Sequence, residues 1–190
     1  MSYFADAGTL VVATLFGIVL FVVVMRVLLQ LVRANFYNPI CQALYKITNP
    51  VLMPLQKLIP TWKHLNLAGV LLAYALAVLW VLVTLAMHGQ SIGPLAALVA
   101  GLARLIQFVF QTLFWIALVR VILSWFQPSF DNPAVPLLFK ISDLVLEPFR
   151  RVIPTLGGFD LSPIFALLAL RIGEILIAGP LFQLASSTNG

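Results

Sequence analysis

Arg26-Val27-Leu28-Leu29, Phe36-Tyr37-Asn38-Pro39, Lys46-Ile47, Val51-Leu52-Met53-Pro54 and Ile59-Pro60-Thr61 return 94 residues later. The second copies are Arg120-Val121-Ile122-Leu123, Phe130-Asp131-Asn132-Pro133, Lys140-Ile141, Val145-Leu146-Glu147-Pro148 and Ile153-Pro154-Thr155. Residues 26–76 and 120–170 align without a gap, with 18 identities in 51 positions. Apolar composition alone would match many Leu, Val and Ile. It would not align Arg, Asn-Pro, Lys and Pro-Thr in one register. The chain is a duplicated unit, and each unit reads as helix, polar Pro-containing loop, helix. We place the units at 1–93 and 94–190, within one membrane domain.

Composition sets the solvent around these helices. The chain is 62% hydrophobic and 9% charged, with a mean hydropathy of +1.08. Soluble domains carry roughly 25% charged residues, so too little polar surface remains to cover a soluble bundle. Four stretches, about 8–32, 67–87, 94–126 and 163–184, reach the roughly 20 apolar residues that cross a bilayer core. The expected fold is an all-α integral membrane protein of four transmembrane helices, as two parallel helix-loop-helix repeats. The first span does not read as a signal peptide, because Met1–Asp6 carries no positive charge. The lone Cys41 offers no disulfide within the chain and no metal motif.

Charge predicts the orientation. With four spans, the 33–66 and 127–162 loops share one side. They hold Arg33, Lys46, Lys57, Lys63, Lys140, Arg150 and Arg151, while the other side has no Lys or Arg outside the spans. Positive-inside counting puts both loops in the cytoplasm and both termini on the opposite side of the membrane. Two units of two spans each are then related by an axis along the membrane normal. The net charge of +5 is topological. Basic residues are scattered rather than gathered into a nucleic-acid-binding face, and anionic headgroups are their expected counterpart.

Within the loops, Asn38-Pro39 and Asn132-Pro133 suit helix starts, with Asn as N-cap and Pro as the first helical residue. Leu137, Leu138, Ile141, Leu144 and Val145 then line one face, opposite Lys140, Asp143 and Glu147. Short amphipathic helices with this pattern lie in the headgroup plane or against the bundle. Pro54 and Pro148 are expected to end them. Gly157-Gly158 lead into Asp160, Ser162 and Pro163, which suit the cap and start of the fourth span. Asn132, Pro133, Glu147, Pro148, Phe149, Arg150, Arg151, Pro154, Asp160, Ser162 and Pro163 form the candidate docking loop.

Intramembrane charge marks a second candidate, because ionisable groups inside spans need partners or a water path. Counting from the loop ends at about 1.5 Å per residue, Arg26 and Arg120 lie about 10–12 Å deep, Arg171 about 12 Å and Glu174 about 16 Å. Their depths predict a cluster of Arg26, Arg120, Arg171 and Glu174, either an ion-pair lock or an ion path with Glu174 titrating. Arg104, Gln107 and Gln111 form a further polar stripe, for which interhelical hydrogen bonding suffices.

The run Arg120-Val121-Ile122-Leu123-Ser124-Trp125-Phe126, then Asn132-Pro133, Glu147 to Pro154 and Gly157 to Pro163 resembles the signature of the YggT family. That resemblance covers nearly the whole chain as two tandem copies, the first more degenerate. It implies a small multi-pass bacterial inner-membrane protein with no established catalytic residues, loosely linked to osmotic tolerance. Plastid relatives are associated with cytochrome b6 haem attachment and with membrane or nucleoid organisation.

Enzyme chemistry has little to work with. There is no H-E-x-x-H, no phosphate-cradling glycine loop and no Cys cluster. His64 and His88 fall on opposite sides, so they cannot share a haem within one chain. No cofactor or metal is expected, and no nucleic-acid partner. The sequence favours a non-enzymatic scaffold, assembly or membrane-homeostasis factor, working with the bilayer and a membrane-protein partner or its own copies. The alternative is a small oligomeric ion channel or transporter that uses the Arg/Glu cluster.

Overall fold

A computed structural model describes residues 2–59, 61–63, 65–126, 131–153 and 160–188. These residues form six helices: α1 Ser2–Leu31, α2 Pro39–Leu58, α3 Leu67–Met87, α4 Pro94–Phe126, α5 Ala134–Val152 and α6 Ser162–Ser187. Four of them, α1, α3, α4 and α6, are long and apolar enough to cross a membrane. The helices α2 and α5 occupy the two long loops and are amphipathic. Thus α2 buries Cys41, Thr48 and Leu52, and α5 buries Val135, Leu137, Ile141, Ser142 and Leu146.

Local chemistry sets the helix starts. Asn38 Oδ1 accepts from Ile40 N at 2.9 Å, and Pro39 opens α2. Asn132 Oδ1 accepts from Ala134 N at 3.0 Å, and α5 begins at Ala134, one residue later than the Asn-Pro pattern predicts. Asn66 caps α3 by accepting from Gly69 N at 3.0 Å. Asp160, rather than Ser162, caps α6, with its Oδ1 accepting from Ser162 N at 2.9 Å. The chain leaves α3 through Gly89, whose φ of +67° is adopted most readily by a residue without Cβ.

Pro54 and Pro148 do not end the loop helices, contrary to expectation. α2 runs through Pro50 and Pro54 to Leu58, and α5 through Pro148 to Val152. Each proline removes one backbone hydrogen bond. Pro50, Pro54 and Pro148 all lie on exposed positions, where the freed carbonyls can be solvated.

The spans pack as antiparallel pairs. Near one end Asn66 Nδ2 donates to Gln30 Oε1 at 3.1 Å. Near the other, Gly8 faces Met87 Cε. α4 packs most extensively on α6, α1 on α3, and α3 on α4 joins the two pairs. The α3–α4 crossing is tight, since a Cβ on Gly101 would lie 2.3 Å from Val78 Cγ2. The main core gathers Leu20, Val24, Leu28, Ala73, Trp80, Leu105 and Ile141, with Cys41 packed into it. Both loop helices sit at one end of the bundle, which we call the loop end. The termini and the α3–α4 turn lie at the opposite, terminal end.

Candidate functional site: two arginine-anchored loop helices

Each repeat builds the same clasp. In the first, Arg26 is only 2% exposed. Its Nη1 donates to Thr48 Oγ1 at 2.5 Å, Asn49 Oδ1 at 2.7 Å and Tyr45 O at 3.3 Å. Its guanidinium carbon lies 3.9 Å from the centroid of the Tyr45 ring. In the second, Arg120 is 9% exposed. Its Nη1 donates to Ser142 Oγ at 2.9 Å, to Phe139 O at 3.0 Å and to Asp143 Oδ1. Its guanidinium carbon lies 4.5 Å from the Phe139 ring centroid. Every partner in one clasp is the 94-residue counterpart of a partner in the other. A buried guanidinium needs several acceptors. One turn of a loop helix supplies a carbonyl, a hydroxyl, a third side-chain oxygen and a ring face. The arginine therefore fastens that helix to its span.

Depth therefore did not predict contact. Arg26 and Arg120 do not join Glu174, because each is taken up by the loop helix of its own repeat. Glu174, 9% exposed, accepts from Gln111 Nε2 at 2.8 Å and from Arg171 Nη1 at 3.0 Å. Arg171 also stacks on Phe114, 4.1 Å from its ring centroid. The predicted four-residue cluster is thus two separate clasps and a local Arg171–Glu174–Gln111 group.

Around the second clasp the docking-loop residues divide by role. Arg150 Nε donates to Asp160 Oδ2 at 3.0 Å, and its Nη1 stands 3.9 Å from Asp143 Oδ1. Asp160 Oδ1 also accepts from Ser162 Oγ at 2.5 Å. Hydrogen bonds from the Ser162 hydroxyl and backbone N–H, joined by Arg150, hold the Asp160 carboxyl below its ordinary range against the opposing effect of burial. A chain of alternating charge therefore runs from Arg120 through Asp143, Arg150 and Asp160 to the start of α6. Arg151 pairs with Glu147 at 2.5 Å on the exposed side. Phe149 packs on Ala117, Leu146 and Ala166, so it belongs to the bundle more than to a partner. Pro148 is exposed and Pro163 buried. Pro154 lies outside the described residues, as do His64, Gly157 and Gly158.

The loop helices also meet across the repeats. Asn38 Nδ2 donates to Pro133 O at 2.7 Å, and Lys140 Nζ donates to Arg33 O at 2.7 Å. These contacts were not legible in the sequence. Nor were Leu58 and Val152, the last residues of α2 and α5, which are 82% and 81% exposed. They are counterparts at the 94-residue offset. Among the described residues, no three of His, Cys, Asp and Glu gather closely enough to hold a metal ion.

The same unit recurs when the chain is compared with known families. The CCB3/YggT family model matches twice, over residues 5–87 and 99–181, offset by the same 94 residues. The chain belongs to the CCB3/YggT family. It is 38% identical over 185 residues to an uncharacterised protein encoded in the proC 3′ region of Vibrio alginolyticus, covering 94% of this chain and 100% of that one. It is 36% identical over 173 residues to an uncharacterised Pseudomonas aeruginosa protein, covering 90% and 88%. Escherichia coli YggT is 30% identical over 164 residues, covering 86% and 85%. A chloroplastic YlmG homologue of Arabidopsis thaliana matches at 49% over only 56 residues, 30% of this chain and 22% of its own. No solved structure matches. Four apolar spans and membership of the YggT family make this a multi-pass inner-membrane protein.

Proposed function

We propose that this YggT-family protein is a non-enzymatic scaffold or assembly factor, whose two clasped loop helices form one cytoplasmic docking platform. The observation that carries this reading is the duplicated arginine clasp. A helix that only had to float on lipid would need no buried guanidinium to hold its register. Clasping both helices, and bonding them to each other, fixes the geometry of the exposed ends at Leu58 and Val152. Preorganisation of this kind lowers the ordering cost of binding a protein partner. Orientation follows from the seven Lys and Arg of the two loops, so both termini lie in the periplasm. Membrane homeostasis under osmotic stress, implied by the family resemblance, is the setting in which loss of the platform would be felt.

The test is photo-crosslinking in native membranes from probes at Leu58 and Val152, followed by mass spectrometry. One strong heterologous protein adduct, lost in Arg151→Glu, supports docking. Adducts to lipid and to the chain itself alone refute it. The ion-path alternative is tested by liposome flux. Glu174→Gln should leave flux unchanged on the scaffold reading, and a changed flux at equal protein level would favour a channel.

A further inference from the structure

Arg104, from the polar stripe of α4, belongs to neither clasp nor to the Arg171–Glu174–Gln111 group. It points into a cavity of about 290 Å³ at the terminal end, where α1, α3, α4 and α6 meet. Its guanidinium carbon sits 3.9 Å from the Trp80 ring centroid, and Nη1 donates to Gln107 Oε1 at 3.1 Å. It takes part in no ion pair among the described residues, whereas Arg120, Arg150, Arg151 and Arg171 each have one. Thr84 Oγ1 lines the same cavity and is buried with no hydrogen-bond partner in the described structure. Helical threonines ordinarily bond to a carbonyl of the preceding turn, so this hydroxyl is a donor left over. A second cavity of about 480 Å³ shares Val81, Leu85 and Phe182 with the first and continues to a polar rim at Gln90, Ser91 and Ser186.

We propose that this cleft binds an anionic glycerophospholipid of the leaflet at the terminal end, with the lipid phosphate on Arg104 and Thr84. Three observations select this occupant. The charge is a lone cation, and its remaining N–H donors suit the fork geometry of a phosphate. Apart from Thr9 the remaining walls are apolar, which penalises a free hydrated anion but suits an acyl chain. Trp80 lies seven residues from Met87, so Arg104 sits about 10 Å from the end of α3, within reach of headgroups by snorkelling. The repeat gives no second copy of the site, since Leu10 stands at the counterpart of Arg104. The site is therefore single and does not depend on the docking platform.

The experiment is native mass spectrometry of the full chain titrated with dioleoyl-phosphatidylglycerol, dioleoyl-phosphatidylcholine, oleate or inorganic phosphate. The expected result is one phosphatidylglycerol bound at least about tenfold more tightly than phosphatidylcholine, a preference lost in Arg104→Gln. Thr84→Val, which keeps the charge and the shape, should weaken phosphatidylglycerol by about threefold and guards against misfolding of the arginine variant. Equal binding of the two phospholipids overturns the proposal. So does full retention in both variants, or saturation by oleate or phosphate in place of the phospholipid.

Discussion

The two repeats solve one mechanical problem with different chemistry. Arg26 is held by Asn49 where Arg120 is held by Asp143, and α3 is capped by Asn66 where α6 is capped by Asp160. Five of the six acids in the chain belong to the second repeat. An amide both donates and accepts, whereas a carboxylate only accepts. Asn66 can therefore cap Gly69 N with its oxygen and donate its Nδ2 to Gln30. Asp160 must find a donor instead, and Arg150 stands where the first repeat has Gln56. One substitution of amide by acid thus accounts for a second, basic one nearby. The second platform half is tied by ion pairs and the first by hydrogen bonds to neutral acceptors, so acid and salt should act on them unequally.

The largest expected effect comes from cutting the clasps themselves. Arg120→Met should destabilise the detergent-solubilised protein by about 2–3 kcal/mol, less than a fully buried pair would lose, because Asp143 is half exposed. Arg26→Met should cost about 1–2 kcal/mol, since it leaves no charge behind. Hydrogen exchange should show each variant loosening only its own loop helix. Simultaneous release of both would mean that the cross-repeat bonds, and not the arginines, hold the platform. Next in size is Gly101→Ala, whose methyl would enter Val78 on α3. It should cost about 1–3 kcal/mol and part the repeats while sparing both clasps, as read by crosslinking between α3 and α4.

Acid should separate the halves more gently. The Asp160 carboxyl is depressed in the folded protein. Its stabilisation is therefore present above the unfolded carboxylate value of about 3.9 and is lost as pH falls through the folded value. Exchange at Ser162 and the first turn of α6 should rise at low pH, while Asn66 to Gly69 stays protected. Equal loosening of both junctions would contradict the contrast. The smallest effect is expected from Arg150→Gln with Asp160→Asn, which copies the first repeat. The pair should cost under about 1 kcal/mol and abolish the acid response.

Much of this fold was legible because two signals were redundant. The duplication fixed the helix order, and apolar length fixed the four spans. Contact between charged side chains was not legible, since depth along a helix says nothing of the direction in which a side chain points. Arg26 and Arg120 lie within about one helical turn of Glu174 in depth yet turn toward their own loop helices. A signal for this was present. Thr48 and Asn49 follow Arg26 by the same separations at which Ser142 and Asp143 follow Arg120. The proline boundaries also depart from the sequence expectation. A proline removes one backbone hydrogen bond without necessarily ending a helix, and α2, α5 and, at Pro180, α6 all continue through one.

The most direct test joins clasp to docking: photo-crosslinking from Val152 in native membranes, compared between the wild-type chain and Arg120→Met. Holding α5 in register for a partner predicts one heterologous protein adduct in the wild type and its loss in the variant at equal abundance. An adduct that survives Arg120→Met, or a wild type that captures only lipid, would contradict it.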